Sequence, residues 1–163
     1  MSKELIFVTT DKRTQKIFPA YFSNFTMPDA AKEQVISVYR ACSTRAIEPE
    51  SFLNTYEENG NAISPNGNLT DPQEYCLSTY FRLKDVKRFV IIDSKHQPPW
   101  VLAKGTTNPE DGPSCKTSEW KQTRNSHVDW WLYLGARPWE SFEEVSYEEE
   151  VLAQNNPSPP TEL

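Results

Sequence analysis

The sequence has few cysteines, no long apolar run and no internal repeat. Its three cysteines, Cys42, Cys76 and Cys115, lie far apart and include no C-x-x-C pair, so their spacing predicts neither a disulfide framework nor a closed zinc site. No apolar stretch is long enough for a signal peptide or a membrane span. These absences favour a cytoplasmic protein with free thiols and no membrane association.

Hydrophobic residues are also scarce, at 37% of the chain, against the ~45–50% apolar usage of typical globular domains. An aromatic content of 12% offsets this deficit, because each large ring buries much area. A chain of 163 residues fits one domain. We therefore predict a single globular domain over residues 1–154, and the composition of residues 155–163 predicts a disordered tail.

Basic residues are nearly missing from the last part of the chain. Residues 137–163 contain one base and seven acids, whereas the rest of the chain balances sixteen bases against sixteen acids. An acidic segment repels phosphate backbones, which argues against nucleic acid as a partner. The same segment suggests one alternative function, in which an acidic protein docks on a basic partner surface.

The periodicity of the remaining chain predicts an α+β fold. Strands are predicted at 75–81, 100–106 and 127–134, and helices at 29–42 and 138–145, with shorter helices at 48–58 and 83–92. We expect a mostly antiparallel sheet of about four to five strands with three to four flanking helices. The long polar segment 107–125 is predicted to be a loop, and a lid is a reasonable role for it.

The stretch S-H-V-D-W-W-L-Y-L at 126–134 is the centre of the functional interpretation. Side chains alternate along a strand, so Val128 and Trp130 are predicted to face the core together with Leu132. The other face then presents His127, Asp129, Trp131 and Tyr133. An imidazole, a carboxylate and two rings with polar groups are typical of the floor of a binding site.

Polar residues at alternate positions of the other predicted strands extend this face. If the strands are neighbours, the side chains form a polar and aromatic cleft suited to a small, nucleotide-like ligand, with rings to stack on and cations to meet an anionic group. The predicted ligand-binding residues are Ser78, Tyr80, Lys104, Thr106, Arg124, Trp131 and Tyr133. The leading hypothesis is a small cytosolic binding or interaction module for a small molecule or a protein partner.

His127 and Asp129 allow chemical alternatives. The carboxylate could orient the imidazole as a general base, with Ser78 or Cys115 as nucleophile of a small hydrolase. A metal site would need a third ligand, from His96 or Cys115, which the spacing does not supply. A structural hydrogen bond between the two side chains is the favoured interpretation, so no metal is predicted and no cofactor is identified.

A second enzymatic alternative comes from a resemblance. The series Tyr39-Arg40, Leu77-Ser78-Thr79 and Glu148-Glu149-Glu150 resembles the arginine, serine-threonine and E-x-E strand motifs of ADP-ribosyltransferases. The resemblance implies an NAD-using enzyme in which Arg40 and Ser78 bind NAD and Glu150 is catalytic.

Overall fold

A computed structural model describes residues 8–91 and 99–155. Its main element is a six-stranded antiparallel sheet in the order β6-β7-β4-β3-β5-β8, beside a two-stranded sheet of β1 and β2. The strands are β1 (Val8–Thr10), β2 (Ile17–Pro19), β3 (Ser37–Cys42), β4 (Leu77–Tyr80), β5 (Val101–Thr106), β6 (Ser114–Lys116), β7 (His127–Trp130) and β8 (Phe142–Val145). The α+β class is confirmed, but the sheet has more strands than predicted.

The α-helices of the described residues are short and lie outside the sheet. They are α1 (Thr55–Glu58), α2 (Lys87–Val90) and α3 (Tyr147–Asn155), with several 3-10 turns between strands. Helix α3 starts after Ser146, whose hydroxyl accepts a hydrogen bond from the backbone N–H of Glu149. No helix in the described part of the chain is long and apolar enough to cross a membrane.

The predicted helix at 29–42 is wrong, because its second half is the central strand β3. Val38, Tyr39 and Cys42 are buried on it. A strand covered on both faces carries apolar residues on successive positions and loses its period-two signal. Val38 and Tyr39 then lie four and three positions before Cys42, the same spacing as on one face of a helix.

The predicted helix at 138–145 is also wrong. A 3-10 turn at Pro138–Ser141 leads into β8, which pairs with β5 from Phe142 to Val145. Only four residues form this strand, too few for the alternation to be distinguished from helical spacing. Backbone pairing with β5 therefore decides the conformation.

The segment 107–125, predicted to be a loop and a lid, is built into the fold instead. It contains the edge strand β6 and a 3-10 turn at Thr117–Glu119. Ser114, Cys115 and Thr117 are almost fully buried. The segment looked loop-like because its polar side chains are buried through hydrogen bonds, which sequence hydropathy does not register. Residues 156–163 of the predicted tail and His96 lie outside the described residues, whereas Asn155 ends α3.

The sheet has two differently covered faces. The back face, which carries Val38, Leu77, Val128 and Trp130, packs into one apolar cluster with Phe52. The front face has an aromatic cluster at one end, around Phe18 and Trp131, and a smaller cluster at the other, around Leu102 and Val86. Polar side chains lie on the front face between them.

Candidate functional site

Strand β7 places side chains on alternate faces, as the sequence predicts. Val128 and Trp130 are fully buried on the back face. On the front face, Asp129 pairs in register with Ser78 of β4, and His127 pairs with Tyr80. Side chains of directly opposed residues share a face. These four polar residues are therefore brought together, as expected.

Trp131 and Tyr133 lie on the same face but away from His127, and Tyr133 borders two other grooves, so their role as ligand-binding residues stays a prediction. Both are buried in the aromatic cluster with Phe18. The indole N–H of Trp131 donates to the carbonyl of Pro72 at 2.9 Å, and the hydroxyl of Tyr133 donates to Glu33 at 2.8 Å. The N-terminal segment covers this end of the sheet, so both rings are packed into the core rather than exposed beside His127.

The carboxylate of Asp129 is the centre of a buried hydrogen-bond network. Asp129 is 0% exposed, and an isolated charge at such a position would be strongly unfavourable. Four of its donors are the imidazole of His127 at 2.8 Å, the hydroxyl of Thr117 at 3.0 Å, the amide of Gln73 at 3.0 Å and the indole of Trp120 at 2.7 Å. The thiol of Cys76 is a fifth, weaker donor at 3.6 Å. Together these groups stabilise a charged carboxylate away from water.

The titration of Asp129 reflects this balance. Burial alone raises the pKa of the carboxyl, but the hydrogen bond and charge of His127, with the hydrogen bonds from Gln73 and Trp120, lower the pKa below its usual value. The network thus favours an ionised Asp129.

The network also fixes the tautomer of His127. Its Nδ1 lies 2.8 Å from Oδ1 of Asp129 and 2.8 Å from the hydroxyl of Thr117, which itself donates to Asp129. Because both neighbours can only accept at this point, Nδ1 carries the proton. In a neutral ring Nε2 then holds the lone pair. The side chain of His127 is 11% exposed, whereas that of Asp129 is 0% exposed, so a ligand can reach the imidazole but not the carboxylate.

Cys76, His127 and Asp129 also bring three potential metal ligands within 4.8 Å of one another. The surroundings fit a carboxylate acceptor better than a cation, because N–H and O–H donors take the lone pairs of Asp129 that a metal would need. Burial and the charge of Asp129 also raise the pKa of the Cys76 thiol well above its usual value, and a metal-bound cysteine must be deprotonated.

The candidate nucleophile Cys115 is unsuited to that role. It pairs with Asp129 across β6 and β7 and is fully buried. Burial, with smaller effects of Asp129 and Glu119, raises the pKa of its thiol to about 12. Since the thiolate is the reactive form and Cys115 is 0% exposed, neither its pKa nor its position suits a nucleophile.

A groove of about 430 Å³ opens over the exposed edge of His127. We call it the His127 groove, and its walls include Gln73, Glu74, Ser78, Thr117, Lys121 and His127. Its lining is polar throughout and contains no aromatic ring apart from the imidazole. The ammonium of Lys121 donates to the amide oxygen of Gln73 at 2.6 Å, which connects the groove wall to Asp129.

The other predicted ligand-binding residues do not line the His127 groove. Lys104 and Thr106 line a separate groove of about 540 Å³, where Lys104 forms an ion pair with Glu150 at 2.9 Å. Tyr80 packs edge-on against His127 with ring centroids 5.2 Å apart. Arg124 is exposed in the turn before β7 and is not among the residues lining the His127 groove.

The residues of the transferase resemblance do not form one site. Arg40 is buried on the back face of the strand β3, where its guanidinium donates to the carbonyls of Ser51 and Ser78 at 2.7 Å each. Ser78 presents its side chain on the front face, opposite Asp129. Glu150 belongs to helix α3 rather than to a strand, and it accepts hydrogen bonds from Tyr39 and Lys104.

Sequence reasoning did not predict Gln73, Thr117 or Trp120 as part of the site. All three contact Asp129; Thr117 and Trp120 do so from the segment 107–125, which was predicted to be a loop, and Gln73 from just before the strand predicted at 75–81. Trp120, the only large apolar residue of the segment 107–125, was the one available signal, because a lone tryptophan in a polar segment needs a partner for its N–H. Comparisons with protein-family models, with curated proteins and with solved structures find no match to this chain.

Proposed function

We propose that this chain is a binding module that holds a small polar ligand in the His127 groove. The supporting observation is the buried carboxylate of Asp129, which holds an accessible imidazole in one tautomer at the wall of the groove. Ser78 and Gln73 add a hydroxyl and an amide to the same wall. A few convergent polar groups on a rigid sheet can orient a ligand and select for it.

The charges of the groove define the ligand further. Asp71 and Glu74 line it together with one cation, Lys121, and Asp129 lies directly behind His127. A phosphate group would meet net negative charge there. We therefore propose a ligand without net negative charge, such as a nucleoside, rather than the nucleotide that the sequence suggests. Hydrogen bonds to its hydroxyl and amino groups would give the affinity.

We also propose that the protein is cytoplasmic, as the sequence predicts. Cys42, Cys76 and Cys115 are free and buried, which suits a reducing compartment such as the cytoplasm.

The test is native mass spectrometry of the purified protein, followed by titration with adenosine and adenosine monophosphate. We expect a retained small molecule or measurable adenosine binding, with weaker binding of the monophosphate. Ser78→Val adds bulk to the groove and should weaken binding, whereas Ser37→Val, an exposed serine on β3, serves as the matched control. A protein that retains nothing and binds neither probe would overturn the proposal.

A second candidate, docking on a basic partner, rests on the exposure of Glu143, Glu144, Glu148 and Glu149 along β8 and α3. These four carboxylates lie on the last strand of the sheet and the helix that follows it. Association with a basic protein should then weaken with added salt and in a Glu148→Gln/Glu149→Gln variant, measured by fluorescence anisotropy. Salt-independent association would exclude this second candidate.

A further inference from the structure

The binding site proposed above contains the parts of a general base, and the following inference rests on that proposed function. We infer that His127 accepts a proton from a water molecule in the His127 groove and so promotes hydrolysis of a neutral carboxylic ester bound there. The groove would then carry out a reaction in addition to binding a ligand.

The imidazole of His127 is held in the orientation that a general base needs. Nδ1 of His127 donates its proton inward to Asp129 over 2.8 Å, so the lone pair of the neutral ring lies on Nε2, at the opposite edge. His127 lines the groove, and with Nδ1 engaged by Asp129 and Thr117, Nε2 is the ring nitrogen left to bind a water molecule. A carboxylate at Nδ1 also stabilises the imidazolium that forms when Nε2 takes a proton.

The carboxylate of Asp129 is also held rigidly. Donors from two segments hold it in place, namely Gln73 before β4 and Thr117 with Trp120 in the turn after β6. A general base acts efficiently only when it is held within hydrogen-bond distance of the proton that it removes. The carboxylate in turn fixes the ring, so little reorganisation is needed during the reaction.

Water, rather than a side chain, is the nucleophile. Ser78 lines the same groove, but no hydrogen bond joins its hydroxyl to His127 among the described residues, and Cys115 is a buried thiol. The oxygen of water forms a bond to the acyl carbon while its proton moves to Nε2 of His127. The bond from the acyl carbon to the alkoxy oxygen then breaks, and the imidazolium returns the proton to the departing alkoxide, which leaves as an alcohol beside a carboxylic acid.

The substrate class follows from charge. A phosphate ester would bring at least one negative charge next to Asp71 and Glu74, whereas a carboxylic ester is neutral until the reaction develops an oxyanion. Ser78 and Lys121 are among the hydrogen-bond donors that line the groove, and donors of this kind stabilise an oxyanion. A neutral ester therefore fits the groove better than a phosphate ester.

The test uses the full chain with p-nitrophenyl acetate as probe and follows release of p-nitrophenolate. We expect release faster than with free imidazole at the same concentration. His127→Gln should lose at least about tenfold in kcat/KM, the lower part of the range for a lost general base. Gln retains an N–H for Asp129, which protects the fold, and His96→Gln is the matched control for the loss of a histidine.

Equal rates in parent and His127→Gln would overturn the inference, as would a parent rate no greater than that of free imidazole at the same concentration. An acetyl group trapped on Ser78 would overturn the choice of water as nucleophile. A protein that binds adenosine but shows no hydrolysis dependent on His127 would retain the proposed binding function and lose only this inference. Absence of both binding and hydrolysis would remove both.

Discussion

Replacing Asp129 by Asn tests whether the buried network requires a charge. The amide has nearly the same shape, but its NH2 group must face either Trp120 or the donors His127, Thr117 and Gln73. One buried donor then loses its acceptor, which costs roughly 1–3 kcal/mol, and the remaining bonds lose the strength that an ionised acceptor gives. We expect Asp129→Asn to lower the free energy of unfolding by about 3 kcal/mol.

Urea denaturation followed by tryptophan fluorescence measures this loss, and for a chain of this length it corresponds to a fall in Tm of about 6–12 °C. Asp111→Asn is the matched control, because burial raises the pKa of Asp111 and a neutral side chain is tolerated there. Its stability should change by less than about 0.5 kcal/mol. If Asp129→Asn were as stable as the parent, the charged network would not be what holds this part of the fold.

Four further predictions follow from the same structure. Since the folded-state pKa of Asp129 is lowered, the ionised carboxylate stabilises the fold above its ordinary pKa near ~4, and this stabilisation is lost as the pH falls through the folded-state pKa. The urea midpoint should therefore fall less steeply towards acid pH in Asp129→Asn than in the parent. Arg40→Lys should cost about 2–3 kcal/mol, because a lysine cannot reach both carbonyls that the guanidinium binds; parental stability by urea denaturation would contradict this. Gly112→Ala should be far more destabilising than Gly135→Ala in thermal melts. A Cβ at Gly112 would lie 1.9 Å from the carbonyl oxygen of Trp131, whereas one at Gly135 meets nothing within 4 Å. Equal melting temperatures of the two variants would refute the packing at Gly112. The three buried cysteines should react with an aromatic disulfide reagent only on unfolding, and rapid labelling of the native protein would disagree.

The sequence predicted the alternation along β7 because one face of that strand is wholly apolar. The alternation alone therefore places His127 and Asp129 on the same face of the sheet. The pattern did not show that residues 17–25 would cover Trp131 and Tyr133, since an aromatic ring suits a buried cluster and an open cleft equally well. Coverage of a sheet face is a tertiary property that no single strand encodes.

Two other differences between the predicted and the observed structure also arise from tertiary contacts. Strand β3 carries buried residues on both faces, and so its sequence lacked the period-two signal from which strands are recognised. Thr117 and Gln73 are ordinary polar residues in segments rich in turn formers, and only their approach to Asp129 gives them a role. Long-range contacts of this type are the part of a site that local patterns do not predict.

The polar front face over His127 is the proposed binding site for a small ligand, and an NMR titration of isotopically labelled protein with adenosine tests it directly. We expect the resonances of His127, Ser78 and Lys121 to shift together with one dissociation constant, while those of Lys104 and Thr106 in the separate groove stay in place. Shifts confined to the Lys104 groove, or none at any position, would contradict it.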